Sequence, residues 1–160
     1  MKYFIKNKKR PFESGTVYVV GTGPFIEDLK QIPEGADIFG ANDAANSNCK
    51  YMGTLDHSQV RDSSWFYEGV IKFSRFAHRG VDFVVRTKPG NLTSGIYCAY
   101  VAHLLGYDDI RLVNIPITGH YYKEASGNIR LLPDSIKEKI SSYSGWTKEY
   151  FGAAKTVGNP

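Results

Sequence analysis

Short apolar runs alternate with turn-forming clusters along most of the chain. Thr16–Gly21 (TVYVVG), Asp37–Gly40, Lys50–Leu55, Val81–Arg86 and Asp109–Val113 are rich in β-branched, aromatic and other apolar residues and are bounded by Gly, Asn, Asp or Pro. Runs of this length and composition predict strands buried on both faces. Helical signals lie between them. Pro24, with Glu27 and Asp28 after it, marks a helix start. Ser63–Phe76 sets Trp65, Phe66, Phe73 and Phe76 along one predicted helical face. The residues between Gly95 and Gly106 are apolar on every side, which predicts a sandwiched helix that Gly106 ends. Farther on, Gly119–Asn128 predicts a loop, Pro133–Ser142 a short helix and Trp146–Ala154 another. Alternating strands and helices imply right-handed crossovers. The expected fold is therefore α/β: a single Rossmann-like domain with a mostly parallel sheet of about five or more strands and helices on both faces. Residues 1–15 read as a basic N-terminal arm, 16–118 as the core, and 119–160 as a loop and helices flanking the site.

In an open parallel sheet, ligands bind outside the carboxyl ends of the strands. That rule brings Gly21–Pro24, Asn42–Asp43, Asp56–His57, Arg86–Lys88 and Asn114–Pro116 to one rim. Thr93–Gly95 joins them if its helix starts there. A helix start offers unpaired N–H groups and a positive dipole end, which suits an anion. Thr93 or Ser94 is the expected N-cap. Gly21, Thr22, Gly23, Asn42, Ser94 and Gly95 are the candidate nucleotide-binding residues, the glycines because they let a ligand approach the backbone. Arg86, Lys88, Tyr121 and Tyr122 are candidates for the phosphate. Asp56, then His120, are the candidate catalytic bases, with His57 on the same rim. The turn GTGP lacks the third glycine of a dinucleotide fingerprint, since Ile26 stands there.

Composition narrows this picture only modestly. The 160 residues carry a formal net charge of +4, and five basic residues fall within Lys2–Arg10. That arm is expected to be solvated and partly disordered, although it leaves a nucleic-acid acceptor such as DNA open. No apolar run approaches membrane-spanning length, and the first residues lack a secretory signal, so a cytoplasmic location is expected. Cys49 and Cys98 have no metal-site spacing and read as reduced structural thiols. No metal site and no cofactor requirement are expected.

Thr93-Ser94-Gly95-Ile96-Tyr97, followed by Leu105-Gly106-Tyr107 and then Ile110, Leu112 and Ile115, resembles the bacterial sialyltransferases of glycosyltransferase family 42, whose motif is similar to TSGVY…LGY..I.L.GID. VYVVGTGP resembles their first strand and turn. FGAN at Phe39–Asn42 resembles their second strand, which ends in a nucleotide-contacting Asn. The 6-hydroxymethylpterin diphosphokinase-like family shares this kind of core, and Asp56 in GTLDHS is more similar to its third-strand Asp. The first resemblance implies a cytidine monophosphate sugar held by Thr22, Gly23, Asn42, Ser94 and Gly95. The chain departs from that family at Thr22 (Asn in the family) and at Asn114 and Pro116 (Gly and Asp). It also has Trp146 where the family has its general-base His, and indole offers only an N–H donor. Three readings follow. One is transfer of a sugar from a nucleotide sugar to a glycan or other acceptor. The second is Mg²⁺-dependent diphosphate transfer or nucleotide hydrolysis. The third is non-catalytic nucleotide binding. A homo-oligomer that completes the site is also expected.

Overall fold

The computed structural model describes residues 3–4, 11–61 and 67–156, with the backbone alone for residues 3–4, 60–61 and 120–121. Eight strands form one sheet: β1 (Tyr3–Phe4), β2 (Thr16–Val20), β3 (Asp37–Ala41), β4 (Tyr51–Thr54), β5 (Ile71–Ser74), β6 (Phe83–Val85), β7 (Asp109–Val113) and β8 (Ile140–Ser142). Their order is β1-β6-β5-β4-β3-β2-β7-β8. β2 through β8 run parallel to their neighbours, and β1 alone is antiparallel, on β6. The strand order reverses between β2 and β7: from β2 the chain builds outward through β3 to β6, then returns to β2's other side. That reversal is the switch point at which open α/β sheets form a crevice.

Strand alternation sorts the side chains. Val17, Val19, Phe39, Tyr51, Phe73, Phe83, Ile110 and Leu112 face the larger core, together with α2 (Ser94–Leu105), α3 (His120–Arg130) and α4 (Asp134–Lys137). α5 (Gly145–Phe151) lays Trp146, Tyr150 and Phe151 against the same core. Tyr18, Val20 and Val113 face the other way, under Ile32, Ala36 and Ala44, while Met52 packs there with Ala45, Cys49 and Val70. That second face is covered by loops and by 3₁₀ turns at Ile26–Gln31 and Asn42–Ala44. α2 is the sandwiched helix expected: nine of its residues, including Ile96, Tyr97, Cys98 and Ala102, are buried. Its even apolarity reflects contact with β2, β3, β4 and β7 at once.

Three expectations are corrected. The aromatic face within Ser63–Phe76 does not continue as a helix, because Ile71–Ser74 is β5. There Phe73 enters the main core while Lys72, on the opposite face, donates to the Tyr67 and Val70 carbonyls at 2.9 and 2.7 Å. Trp65 and Phe66 lie outside the described residues. Gly119–Asn128 is not a loop but most of α3, whose Ala125 and Ile129 are buried one turn apart and outweigh its Gly and Asn. The end of the expected Pro133–Ser142 helix is β8, which buries Ile140 and Ser142. The arm also contributes structure. Tyr3–Phe4 is a strand, and Glu13 donates its N–H to the Leu105 carbonyl at 2.8 Å and forms an ion pair with Lys50 at 2.8 Å. Both cysteines are free and buried, and burial pushes both thiols up. Among the described residues, no helix is long and apolar enough to cross a membrane.

Candidate functional site

A cleft of about 760 Å³ opens at the carboxyl ends of β2, β3, β4 and β7. Its walls are the Gly21–Pro24 turn after β2, Ala41-Asn42 after β3, Leu55-Asp56 after β4, Leu92–Gly95 at the start of α2, and Asn114–Thr118 after β7. Glu124 reaches it from α3. The structure thus brings Gly21, Thr22, Gly23, Asn42, Asp56, Ser94 and Gly95 together around one space.

Each wall is held by hydrogen bonds whose donors and acceptors can be traced. Thr93 is the N-cap of α2, its Oγ1 accepting the Ile96 N–H. Ser94, the other expected cap, instead accepts the Leu55 N–H at 3.0 Å and fastens the end of β4 to α2. Thr54 Oγ1 donates to Asn42 Oδ1 at 2.6 Å and accepts the Asp56 N–H at 2.9 Å, which links the β3 and β4 loops. Asn42 has a left-handed backbone, φ 50°, which Asn tolerates better than most residues.

The floor is built on Asn114, which is buried and left-handed at φ 56°. Its Oδ1 accepts the Phe25 N–H at 2.7 Å, its carbonyl accepts the Gly23 N–H at 3.1 Å, and its Nδ2 donates to the Gly21 carbonyl at 3.3 Å. Asp28 accepts the Asn114 N–H at 3.1 Å and the Ser144 hydroxyl at 2.5 Å. Thr147, fully buried, donates to the Ile115 carbonyl at 2.6 Å. Asn114, read from sequence as a departure from the family motif, is a structural keystone. The glycines have a corresponding role. A Cβ on Gly21 would sit 2.5 Å from Ile115, one on Gly23 2.6 Å from Pro116, and one on Gly95 2.8 Å from Ile115. Their missing side chains make room for the end of β7.

The remaining candidates stand elsewhere. Arg86 and Lys88 are exposed beyond β6, two strands past β4, and do not line the cleft. Tyr122 is exposed with its ring 5.3 Å from Trp146, also outside the cleft lining. The side chains of His120 and Tyr121 lie outside the described residues, although both belong to the first turn of α3. His57 begins α1 (His57–Arg61), its ring 5.1 Å from Phe76 and 6.2 Å from His78. Trp146 stacks on Tyr150 at 4.9 Å, with Arg130 over both rings. It is a packing residue of α5.

Glu124 was not anticipated from sequence, because the residues around it read as loop. Placed on α3, it lies in the second turn of that helix and reaches the cleft. Two acidic residues, Asp56 and Glu124, therefore border the cleft, while no lysine or arginine is among the described residues lining it. Among the described residues no group of three or more His, Cys, Asp or Glu is placed to hold a metal ion. Anion binding by the described lining would fall to backbone N–H groups and hydroxyls.

No family model and no curated protein sequence matches the chain. Solved structures do. A complex of the sialyltransferase CstII from Campylobacter jejuni with cytidine-5'-monophosphate aligns with a TM-score of 0.62 at 16% identity, over 91% of this chain and 87% of that one. The CstII complex with CMP-3FNeuAc gives 0.60 at 13% identity, over 92% and 88%. The complex with a trisaccharide acceptor and CMP gives 0.58 at 15% identity, over 91% and 88%. At such identities the likeness concerns the fold alone: this chain shares the α/β fold of those structures.

Proposed function

We propose that this protein is a glycosyltransferase-like enzyme that binds a nucleotide sugar in the switch-point cleft and transfers the sugar to an acceptor hydroxyl. The observation carrying this reading is the convergence of the Gly21–Pro24 turn, Asn42 and the start of α2 on one 760 Å³ space, within a fold shared with a nucleotide-sugar enzyme. The cleft volume suits a ligand of that size. Donor phosphate would meet the N–H groups of α2's first turn, where the helix dipole adds positive potential. Thr22, Thr93 and Thr118 line the same cleft from three of its walls and could add hydroxyl donors. Asp56 is the proposed base for the acceptor hydroxyl, and Glu124 or His120 on α3 the alternative. Trp146 cannot serve, since it has no acceptor for a proton and packs away from the cleft.

The test is transfer from CMP-, UDP- and GDP-linked sugars to a panel of glycan and DNA acceptors. Asp56→Asn is expected to lower kcat by about 100-fold or more, the usual contribution of a positioned base, while donor binding persists. Undiminished transfer by Asp56→Asn would move the role to Glu124 or His120. Absence of both donor binding and transfer would overturn the reading.

A second reading, Mg²⁺-dependent phosphoryl chemistry, is favoured by the pair of carboxylates and the lack of basic side chains in the described lining. A divalent cation bridging ligand and carboxylate would supply the missing positive charge. Nucleotide turnover abolished by chelation and restored by Mg²⁺ is its expected signature.

A further inference from the structure

The cations on the rim that the cleft does not use gather at the carboxyl ends of β5 and β6. Thr54 and Ser74 are in register, so Arg75, just past β5, stands beside Leu55 of the cleft wall, roughly one strand spacing of 4.8 Å away. Arg75 Nη1 donates to Asn91 Oδ1 at 3.5 Å, and Asn91 leads directly into the wall at Leu92. That long contact leaves the guanidinium short of partners. Its Nε is buried without an acceptor, and among the described residues no carboxylate forms an ion pair with it. Arg86 and Lys88, exposed after β6, and Arg79, exposed in the loop between the two strands, extend the positive strip. The acids flanking these strands sit at the other end: Glu68 precedes β5, and Asp82 precedes β6 and accepts the Lys72 N–H at 2.9 Å. Flat rings are interleaved with the cations. Arg75 lies over the Phe76 ring at 4.8 Å, the His57 ring is 5.1 Å from Phe76, and the His78 ring is 6.2 Å from His57. His57 directly follows Asp56, so the strip runs up to the cleft's edge.

We infer that this strip is a binding track for a single-stranded nucleic acid, whose phosphates meet Arg75, Arg86 and Lys88 and whose bases meet the Phe76, His57 and His78 rings. The strand reaches Asp56 as the acceptor, a role that rests on the reading of the cleft as the site of sugar transfer. The donor's phosphate does not account for these cations, because none of them lines the cleft. Cations alone suit any polyanion. Flat rings among them favour a chain that carries bases, since every base offers a π-face to stack. A duplex hides those faces, so the single strand is the form that fits. In the transfer, the acceptor hydroxyl oxygen bonds the sugar's anomeric carbon and the bond from that carbon to the donor phosphate oxygen breaks. The phosphate keeps the electron pair, and Asp56 takes the hydroxyl proton.

The test is fluorescence anisotropy of a labelled single-stranded DNA of about 12 nucleotides, titrated with the full chain between about 50 and 200 mM salt. No nucleotide sugar is present. Affinity is expected to fall with salt, with a logarithmic slope of about −0.7 per phosphate contacted. Arg75→Gln, Arg86→Gln and Lys88→Gln should each weaken binding and flatten the slope by about 0.7. Phe76→Leu should weaken binding about fivefold or more with the slope unchanged. Lys148→Gln, an exposed cation on α5, should change neither. Arg86 and Lys88 are exposed, so their variants decide the matter even if Arg75→Gln or Phe76→Leu does not fold. Absence of binding at the lowest salt, or unchanged affinity and slope in both Arg86→Gln and Lys88→Gln, would overturn the inference. So would equal competition by a sulfated glycan of matched charge, which would assign the strip to polyanions at large. Sugar transfer to neutral glycans without DNA binding would overturn the inference and leave the cleft reading intact. DNA binding by a chain that binds no nucleotide sugar would overturn the cleft reading, and with it the acceptor role, while the binding track stands.

Discussion

At the end of β7, Asn114-Ile115-Pro116 explains why four glycines occupy the positions they do. Gly21, Gly23 and Gly95 face it, and so does Gly145, where a Cβ would come within 2.2 Å of Pro116. Gly145 also has φ 70°, in the left-handed region. Gly145→Ala should therefore combine overpacking with backbone strain and cost about 3 kcal/mol, read as a fall in the urea midpoint at constant slope. Gly21, Gly23 and Gly95 were legible as positions of close approach to the backbone. What they make room for was not, because one-dimensional spacing cannot show that the neighbour is β7 rather than a ligand.

His103 illustrates a second residue-scale consequence. Its Nδ1 lies 3.1 Å from the Lys139 ammonium. Burial and then that positive charge hold its pKa below the ordinary 6.5. The neutral ring is favoured in the folded state, so its contribution to stability is complete above pH 6.5 and is lost as pH falls from there through the lowered folded value. An NMR titration should place the His103 midpoint below 6.5, and Lys139→Ala should raise it.

At the scale of elements, α2 was readable end to end because its signals agree: the Thr93 cap, an unbroken apolar run and Gly106 in the left-handed conformation at φ 113°. α3 and β5 were not. Their identities rest on tertiary contacts, Ala125 and Ile129 against the core and Lys72 turned to the opposite face, which override local propensity. The Glu124 carboxylate was missed for that reason alone. α5 makes a further case. Trp146, which the sequence resemblance set at a histidine position, is packed between Tyr122, Tyr150 and Arg130. Trp146→His should not increase sugar transfer. It should cost about 2 kcal/mol through lost aromatic burial, detectable as a lower melting temperature.

Across the whole molecule the two ends of the parallel strands differ in chemistry. The carboxyl ends surround the cleft, with polar groups left for a ligand. At the opposite end Glu13, Asp37, Lys50, Tyr51 and Tyr107 satisfy one another: Tyr107 donates to Asp37 at 2.7 Å, and Lys50 lies within 3.4 Å of both carboxylates. Sequence made the cleft end of the sheet identifiable, because strand direction and the switch-point rule together select a rim. It did not reveal which rim loops converge. Strand order decides that, and places Arg86 and Lys88 on the far side of β5.

The same sheet order has a consequence for self-association. A sheet margin with unpaired N–H and C=O groups invites another chain to add a strand. Here the outer edges of β6 and β8 are each paired with a short segment of the same chain. Tyr3–Phe4 pairs antiparallel along β6, and Ala153 bridges β8, where Ser142 donates to the Gly152 carbonyl and accepts from the Ala154 N–H, each at 2.9 Å. Deleting residues 1–4 should leave the cleft in place but open β6 as a template. Light scattering that rises with protein concentration, accompanied by a new intermolecular β signal in the infrared, is the expected result, and a monomeric truncation would show that β6 needs no such guard.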